Sequence, residues 1–230
     1  MNLDNIKVIA FDADDTLWVN EPYFREVEQQ FCVLLKDFMP EDTCNKILFE
    51  IEMQNLPTYG YGIKPFALSL IEAAITISEH KIPIETISKL IEIAKEMLNK
   101  PIELIDGIEE TLKQLSKKYR LVMATKGDLL DQERKLIKSG LEKYFHHIEV
   151  MSDKQPKNYL KHIKHLDIQP EELLMVGNSL KSDILPVLEI GASAIYIPFH
   201  TTWEHEKVSD PVIHTNFIEL KEASELMDIL

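Results

Sequence analysis

Hydrophobic positions divide the chain into two kinds of pattern. From Ile6 to Phe11 they form a short run with the length and content of a strand buried on both faces. Similar runs recur at 120–125, 148–151, 173–176 and 194–197. Between them lie helical spacings at 108–118, at 129–139 closed by Gly140, at 156–165, and at 184–190 closed by Gly191. A short strand near Val212 and a helix from Ile218 complete the chain. Strands alternating with helices predict an α/β fold with a parallel sheet, helices covering both faces.

Residues 20–100 read differently. Phe24, Val27, Phe31, Leu34, Leu35 and Phe38 recur at helical spacing over 23–38, and Pro40 ends that helix. A second helix runs through Ile51 behind a cap at Asp42 or Thr43, and others are predicted at 65–79 and 84–99. The stretch from Leu56 to Pro65 reads as a loop carrying Tyr59, Gly60, Tyr61, Gly62 and Lys64. No strand is evident. The expected organisation is therefore a core of 1–19 and 101–230 with an all-helical module, 20–100, inserted after the first strand. Placed there, it would overhang the carboxyl end of the sheet.

Charge narrows the partners. Acidic residues number 39 against 25 basic ones, a formal charge of -14 over 230 residues. A nucleic acid or an anionic membrane needs a basic surface, so neither is expected. A phosphate ligand still fits, because a few lysines and one metal ion set the local field. Cys32 and Cys44 form no metal-ligand spacing and no disulfide framework, and no run reaches membrane-spanning length. These features predict a soluble, cytoplasmic chain without a leader segment.

The chemistry concentrates at strand ends. The first strand runs into three carboxylates within four residues, Asp12, Asp14 and Asp15. Such groups repel unless a cation or a lysine compensates, and Mg2+ prefers oxygen ligands. In a parallel sheet the carboxyl ends converge on one edge, where ligands bind. Thr125-Lys126-Gly127 ends a second strand, Lys154 follows a third, and Asn178 with Asp183 follows a fourth. An aspartate can attack phosphorus, a lysine and a metal can neutralise the phosphoryl oxygens, and a hydroxyl with backbone N–H groups can orient them. Each residue also has an ordinary alternative: Thr125 as a strand terminus, Lys154 as a surface lysine, Asp183 as a helix cap, Asp15 as turn chemistry and Trp18 as packing. His162 and His165, three apart on one predicted helix, read as a solvated face rather than a metal pair.

Together these motifs resemble the haloacid dehalogenase superfamily, in particular its phosphatases with a helical cap after the first strand. Asp12, Asp14 and Thr16 match its Asp-x-Asp-x-Thr motif, Thr125 the second motif, Lys154 the third, and Gly177 to Asp183 the acidic fourth. The resemblance implies a Rossmann-like core and hydrolysis of a small phosphorylated metabolite. Asp12 would be the nucleophile and Asp14 the general acid and base. Thr125, Lys126 and Gly127 would bind the phosphate. Apart from the resemblance, the 58–64 loop offers tyrosines with apolar area and a polar tip, and Lys64 with a positive charge. Tyr61 and Lys64 are therefore expected to touch the rest of an anionic substrate, the ordinary alternative being an interhelical turn with its tyrosines packed inward. Mg2+ would be held by Asp12, the Asp14 carbonyl, Asn178 and Asp183. Two departures stand out. Asn178 replaces the commoner Asp, and Lys154 is followed by Gln155-Pro156-Lys157 rather than directly by proline. A dehalogenase or phosphonatase on the same fold, or a phospho-acceptor signalling domain, are the alternatives. Asp14 favours phosphate chemistry over dehalogenation, which needs no acid there.

Overall fold

The computed structural model describes residues Met1–Leu230 as two compact units. The first comprises Met1–Glu21, Ile102–Lys126 and Gln132–Leu230, the second Pro22–Pro101 and Gly127–Asp131.

The first unit is built on six parallel strands: β1 (Val8–Phe11), β2 (Arg120–Lys126), β3 (His147–Met151), β4 (Leu173–Gly177), β5 (Ser193–Tyr196) and β6 (Phe217–Glu219), in the order β3-β2-β1-β4-β5-β6. Successive residues of β1 alternate between two apolar layers. Ile9 and Phe11 join Leu121, Met123, Leu174 and Val176 on one face, while Val8 and Ala10 join Val122, Ala124, Leu173 and Met175 on the other. Both faces are covered, so these strands read as continuous apolar runs. The order reverses between β1 and β4, creating a crevice at their carboxyl ends. Phe11 stands opposite both Met123 and Val176. The residues that leave β1, β2 and β4 therefore emerge side by side.

Helices α5 (Ile108–Leu115), α6 (Leu129–Ser139), α7 (Pro156–Leu166) and α8 (Leu185–Glu189) connect the strands. One wider π-type turn, Leu180–Ile184, precedes α8. The apolar stretch near Val212 is no strand: Val212 packs against the sheet core behind Pro211, and the strand forms at Phe217–Glu219, where Phe217 stands opposite Ala194. Ile218 lies in that strand, so the expected terminal helix shrinks to a 3-10 segment, Ala223–Asp228, anchored by buried Leu226.

The second unit holds α1 (Glu21–Leu34), which begins at the last residue of the first, then α2 (Glu41–Tyr59), α3 (Ile63–Ile77) and α4 (Ile84–Asn99). In α3, Ile63, Phe66, Leu70, Ala73, Ala74 and Ile77 fall on one buried face. The first helix ends at Leu34 rather than Phe38, where a tight turn leaves Phe38 exposed. The expected loop from Leu56 to Pro65 is mostly helix. Pro57 sits inside the last turns of α2, and Pro65 sits in the first turn of α3, where an N–H has no helical partner to lose. Only Gly60–Gly62 remains between them, with Gly60 and Gly62 at φ of 76° and 113°. Cys32 and Cys44 are free thiols, and no helix is long and apolar enough to cross a membrane.

Candidate active site

The carboxyl end of β1 is pinned by the sheet itself. Asp12 N donates to Val176 O at 2.9 Å, continuing the ladder one residue past the strand. The chain then turns sharply, with Leu17 N bonded to Ala13 O at 2.8 Å. Asp15 adopts φ 63°, and its carboxylate accepts from Asn20 N at 2.8 Å and from Glu21 N at 3.0 Å. Asp15 thus caps α1 and leaves Asp12 and Asp14 for other work.

Asp12 is buried, and both its oxygens are engaged. Lys154 Nζ donates to Oδ1 at 2.5 Å, and Thr16 Oγ1 donates to Oδ2 at 3.2 Å. Lys154 is itself 1% exposed and also donates to Asp183 Oδ1 at 2.6 Å. Burial would lower the Lys154 pKa, but Asp12 and Asp183 outweigh it and keep the ammonium charged. Burial pushes the Asp12 carboxyl up to about 7 against the pull of Lys154, with Asp183 and Asp14 adding to the rise. Lys157, three residues on, is exposed.

Asp183 is set by the wide turn before α8. Its N–H bonds Ser179 O at 2.9 Å, and its Oδ2 accepts from Ser179 N at 3.0 Å. That carboxylate lies over Gly177 so closely that a Cβ there would stand 2.3 Å from Oδ2, which explains the glycine at the end of β4. Tyr159, fully buried on α7, donates to Ser182 O at 3.0 Å and ties α7 to the same turn.

Asp14 points into a different set of donors. Trp18 Nε1 lies at 2.8 Å, Gln132 Nε2 at 2.8 Å and Lys135 Nζ at 2.9 Å. Burial would raise its pKa, but Lys135 and the other donors prevail and hold the carboxyl below its usual range. Thr125 is buried at the end of β2, its hydroxyl on Lys126 O at 3.1 Å. Lys126 reaches Ser182 Oγ at 2.9 Å and Glu206 Oε1 at 2.6 Å, while Gly127 turns away at φ 123°. Tyr61 and Lys64 lie in the helical unit, Tyr61 half-buried and Lys64 exposed and paired with Asp128 at 2.7 Å.

Asn178 decides what cation the cluster can take. Its inward amide atom lies 3.2 Å from the Asp14 carbonyl oxygen, from Asp12 Oδ2 and from Thr16 Oγ1. With the oxygen inward, Asn178, Asp12 and Asp14 present three oxygens to one point. Neighbouring oxygens of an octahedral Mg2+ shell are about 3.0 Å apart, so this donor set suits a hard divalent cation. With the amide turned, its two N–H groups face the same three oxygens as acceptors. Around the point, carboxylates of Asp12, Asp14 and Asp183 face the ammonium groups of Lys154 and Lys135, leaving a net negative charge.

Lys135, Gln132, Tyr159, Ser182 and Glu206 were not singled out by the sequence. Gln132 and Lys135 are three apart on α6, a spacing that puts them on one face. That signal becomes informative only once α6 is known to cross the end of β1.

The residues from 6 to 191 match the family model of haloacid dehalogenase-like hydrolases. A solved haloacid dehalogenase-like family hydrolase from Xanthomonas campestris is 36% identical, with a TM-score of 0.87 over 98% of this chain and 90% of that one. The glyceraldehyde 3-phosphate phosphatase of Pyrococcus furiosus is 27% identical, covering 96% of this chain and 93% of its own. The N-acylneuraminate-9-phosphatase of Mus musculus is 26% identical, covering 84% and 83%. A family model spanning most of the chain, on a six-stranded core of matching architecture, identifies the protein: it belongs to the haloacid dehalogenase-like hydrolases.

Proposed function

We propose that this chain is a Mg2+-dependent phosphomonoester hydrolase of a small phosphorylated metabolite, working through an aspartyl-phosphate on Asp12. The observation that carries the reading is the Asp12 carboxylate at the sheet's switch point, oriented by Lys154 and Thr16. The phosphatase names of the Pyrococcus furiosus and Mus musculus relatives support the reaction class.

In this reading an Asp12 oxygen attacks phosphorus and the ester P–O bond breaks. The departing alkoxide takes a proton from Asp14. Asp14, now a carboxylate, removes a proton from water, which attacks phosphorus and breaks the bond to Asp12. The Asp14 setting described above, ionised and held by Lys135, is that of the base awaiting water. Lys154 neutralises charge on Asp12 and the phosphoryl oxygens, and Thr125 with the N–H groups of Lys126 and Gly127 orients them. Asp12, the Asp14 carbonyl and Asn178 would hold Mg2+, with Asp183 acting through Lys154 or a water. When bound, the cation would offset charge on the transferring phosphoryl group. We assign Tyr61 and Lys64 to choosing the substrate; Lys64 must exchange Asp128 for an anionic group to do so.

One observation favours a second reading. Asn178 lowers the negative charge of the metal shell, which suits hydrolysis at carbon by Asp12 without a cation, as in dehalogenation. A panel of phosphorylated metabolites and 2-haloacids, each assayed with Mg2+ and with chelator, separates the two. Phosphate release dependent on Mg2+ supports the proposal; halide release without it supports the second reading.

A further inference from the structure

A second cluster of ligating side chains lies on the edge strand β3, whose axis is two strands and so roughly 10 Å across the sheet from that of β1. His147 and Glu149 alternate on β3 and therefore share a face. Opposite them α7 presents His162, with His165 less than one turn further on. One ligand atom from each of His147, Glu149 and His162 lies within 4.8 Å of the others.

His162 is the anomaly. Its side chain is fully buried, and neither ring nitrogen has a hydrogen-bond partner. Leaving buried polar atoms unpaired costs about 1–3 kcal/mol each. Its Nδ1 stands 3.6 Å from Glu149 Oε2, beyond hydrogen-bonding reach, and His165 Nδ1 stands 3.9 Å from the same oxygen. An ion pair does not resolve the matter, because burial pushes His162 down to about 4 and the ring is neutral at pH 7. Neutral imidazole is the form that binds metals. His147 is already oriented from behind: its Nδ1 shares a hydrogen with His146 Nδ1 at 3.0 Å, leaving Nε2 for a ligand. The 3.6 Å spacing of His162 and Glu149 is close to the ~3.4 Å edge of a tetrahedral site with ligands at 2.0–2.1 Å, and a ligand atom of His147 lies within 4.8 Å of both.

We propose that His147, Glu149 and His162 form a second metal site, taking a divalent ion of the zinc class and fastening β3 to α7. Two imidazoles and one carboxylate suit zinc, with water in the fourth position. The site would supply a partner to one of the two unpaired ring nitrogens of His162 and tie down an edge strand. It is independent of the proposed phosphatase chemistry.

The test is a Zn2+ titration of chelator-stripped protein in excess Mg2+, read by competition with a chromophoric chelator and by the unfolding temperature. One Zn2+ per chain with Kd below about 10 µM and a raised unfolding temperature is expected. His147→Ala and Glu149→Gln, both at half-buried positions, should each weaken binding by at least about thirtyfold. Asp12→Asn should leave it unchanged. Binding weaker than that threshold, loss of the Zn2+ in Asp12→Asn, or indifference to both cluster substitutions would overturn the proposal.

Discussion

Lys135 Nζ lies 2.9 Å from Asp14 Oδ1 and 2.8 Å from the side-chain oxygen of Asn20. The ammonium thus fixes the carboxylate that is proposed to move protons. In Lys135→Met that hold is gone, and the Asp14 pKa rises. An acid with a higher pKa stays protonated to higher pH. The alkaline limb of kcat/KM against pH, measured with a poor leaving group, should therefore shift upward. An unshifted limb would separate Lys135 from the acid–base role.

Lys154 and Lys157 differ in surroundings as well as position. The first is buried between Asp12 and Asp183; the second is exposed. Lys154→Ala leaves two buried carboxylates without their cation and removes one preorganised donor. A loss of roughly a hundredfold or more in kcat is expected, with Lys157→Ala close to wild type. The reverse ranking would place the functional lysine at 157.

Asn178→Asp adds a carboxylate beside Asp12 Oδ2 and removes the amide N–H donors that can face these oxygens without metal. Mg2+ should bind at least about tenfold more tightly by calorimetry, the direct effect of a charged ligand. In chelator the variant should melt below wild type, because like charges then face each other. Equal Mg2+ affinity in the two proteins would remove Asn178 from the metal shell.

Glu206 supplies a pH-dependent clasp. Burial would raise its pKa, but Lys126 and the hydroxyls of Ser179 and Ser182 bring it down to about 2 from 4.5. A depressed carboxylate stabilises the fold above its unfolded pKa, and that contribution disappears as pH falls from 4.5 towards 2. At pH 7 it is on the order of 3 kcal/mol. Urea unfolding should find Glu206→Gln less stable than wild type at pH 7, the gap narrowing through the acid range. A gap constant with pH would mean the loss is packing alone.

How much of this was legible in the sequence depended on how local the cause was. Val8–Phe11 and Leu173–Gly177 are buried on both faces, so their composition alone marks them as strands. The abrupt switch from Phe11 to Asp12 likewise places the carboxylates at a strand end. Signals that depend on tertiary context point elsewhere than the structure does. The stretch from Leu56 to Pro65 reads as a loop, yet α2 continues through Pro57 to Tyr59. Val212 looked like a strand but serves as packing, and Ile218 belongs to a strand fixed by pairing with β5. In the site, Lys135 and Glu206 answer to partners 121 and 80 residues away, Asp14 and Lys126. No spacing rule reaches that far. His162 looked like part of a solvated face because burial cannot be read from an i,i+3 pair.

Asp12 is the residue proposed to take the phosphoryl group. The most direct test of that role uses Asp14→Asn, in which no base activates water and the intermediate should persist. The enzyme is mixed with an activated aryl phosphate and Mg2+, quenched in acid, reduced with hydride and digested for mass spectrometry. An acyl phosphate at position 12 is reduced to homoserine, so the peptide containing Ala10-Phe11-Asp12 should carry that residue in proportion to enzyme phosphorylated. Phosphate release with Asp12 unmodified, or homoserine at another aspartate, would remove Asp12 from the nucleophile role.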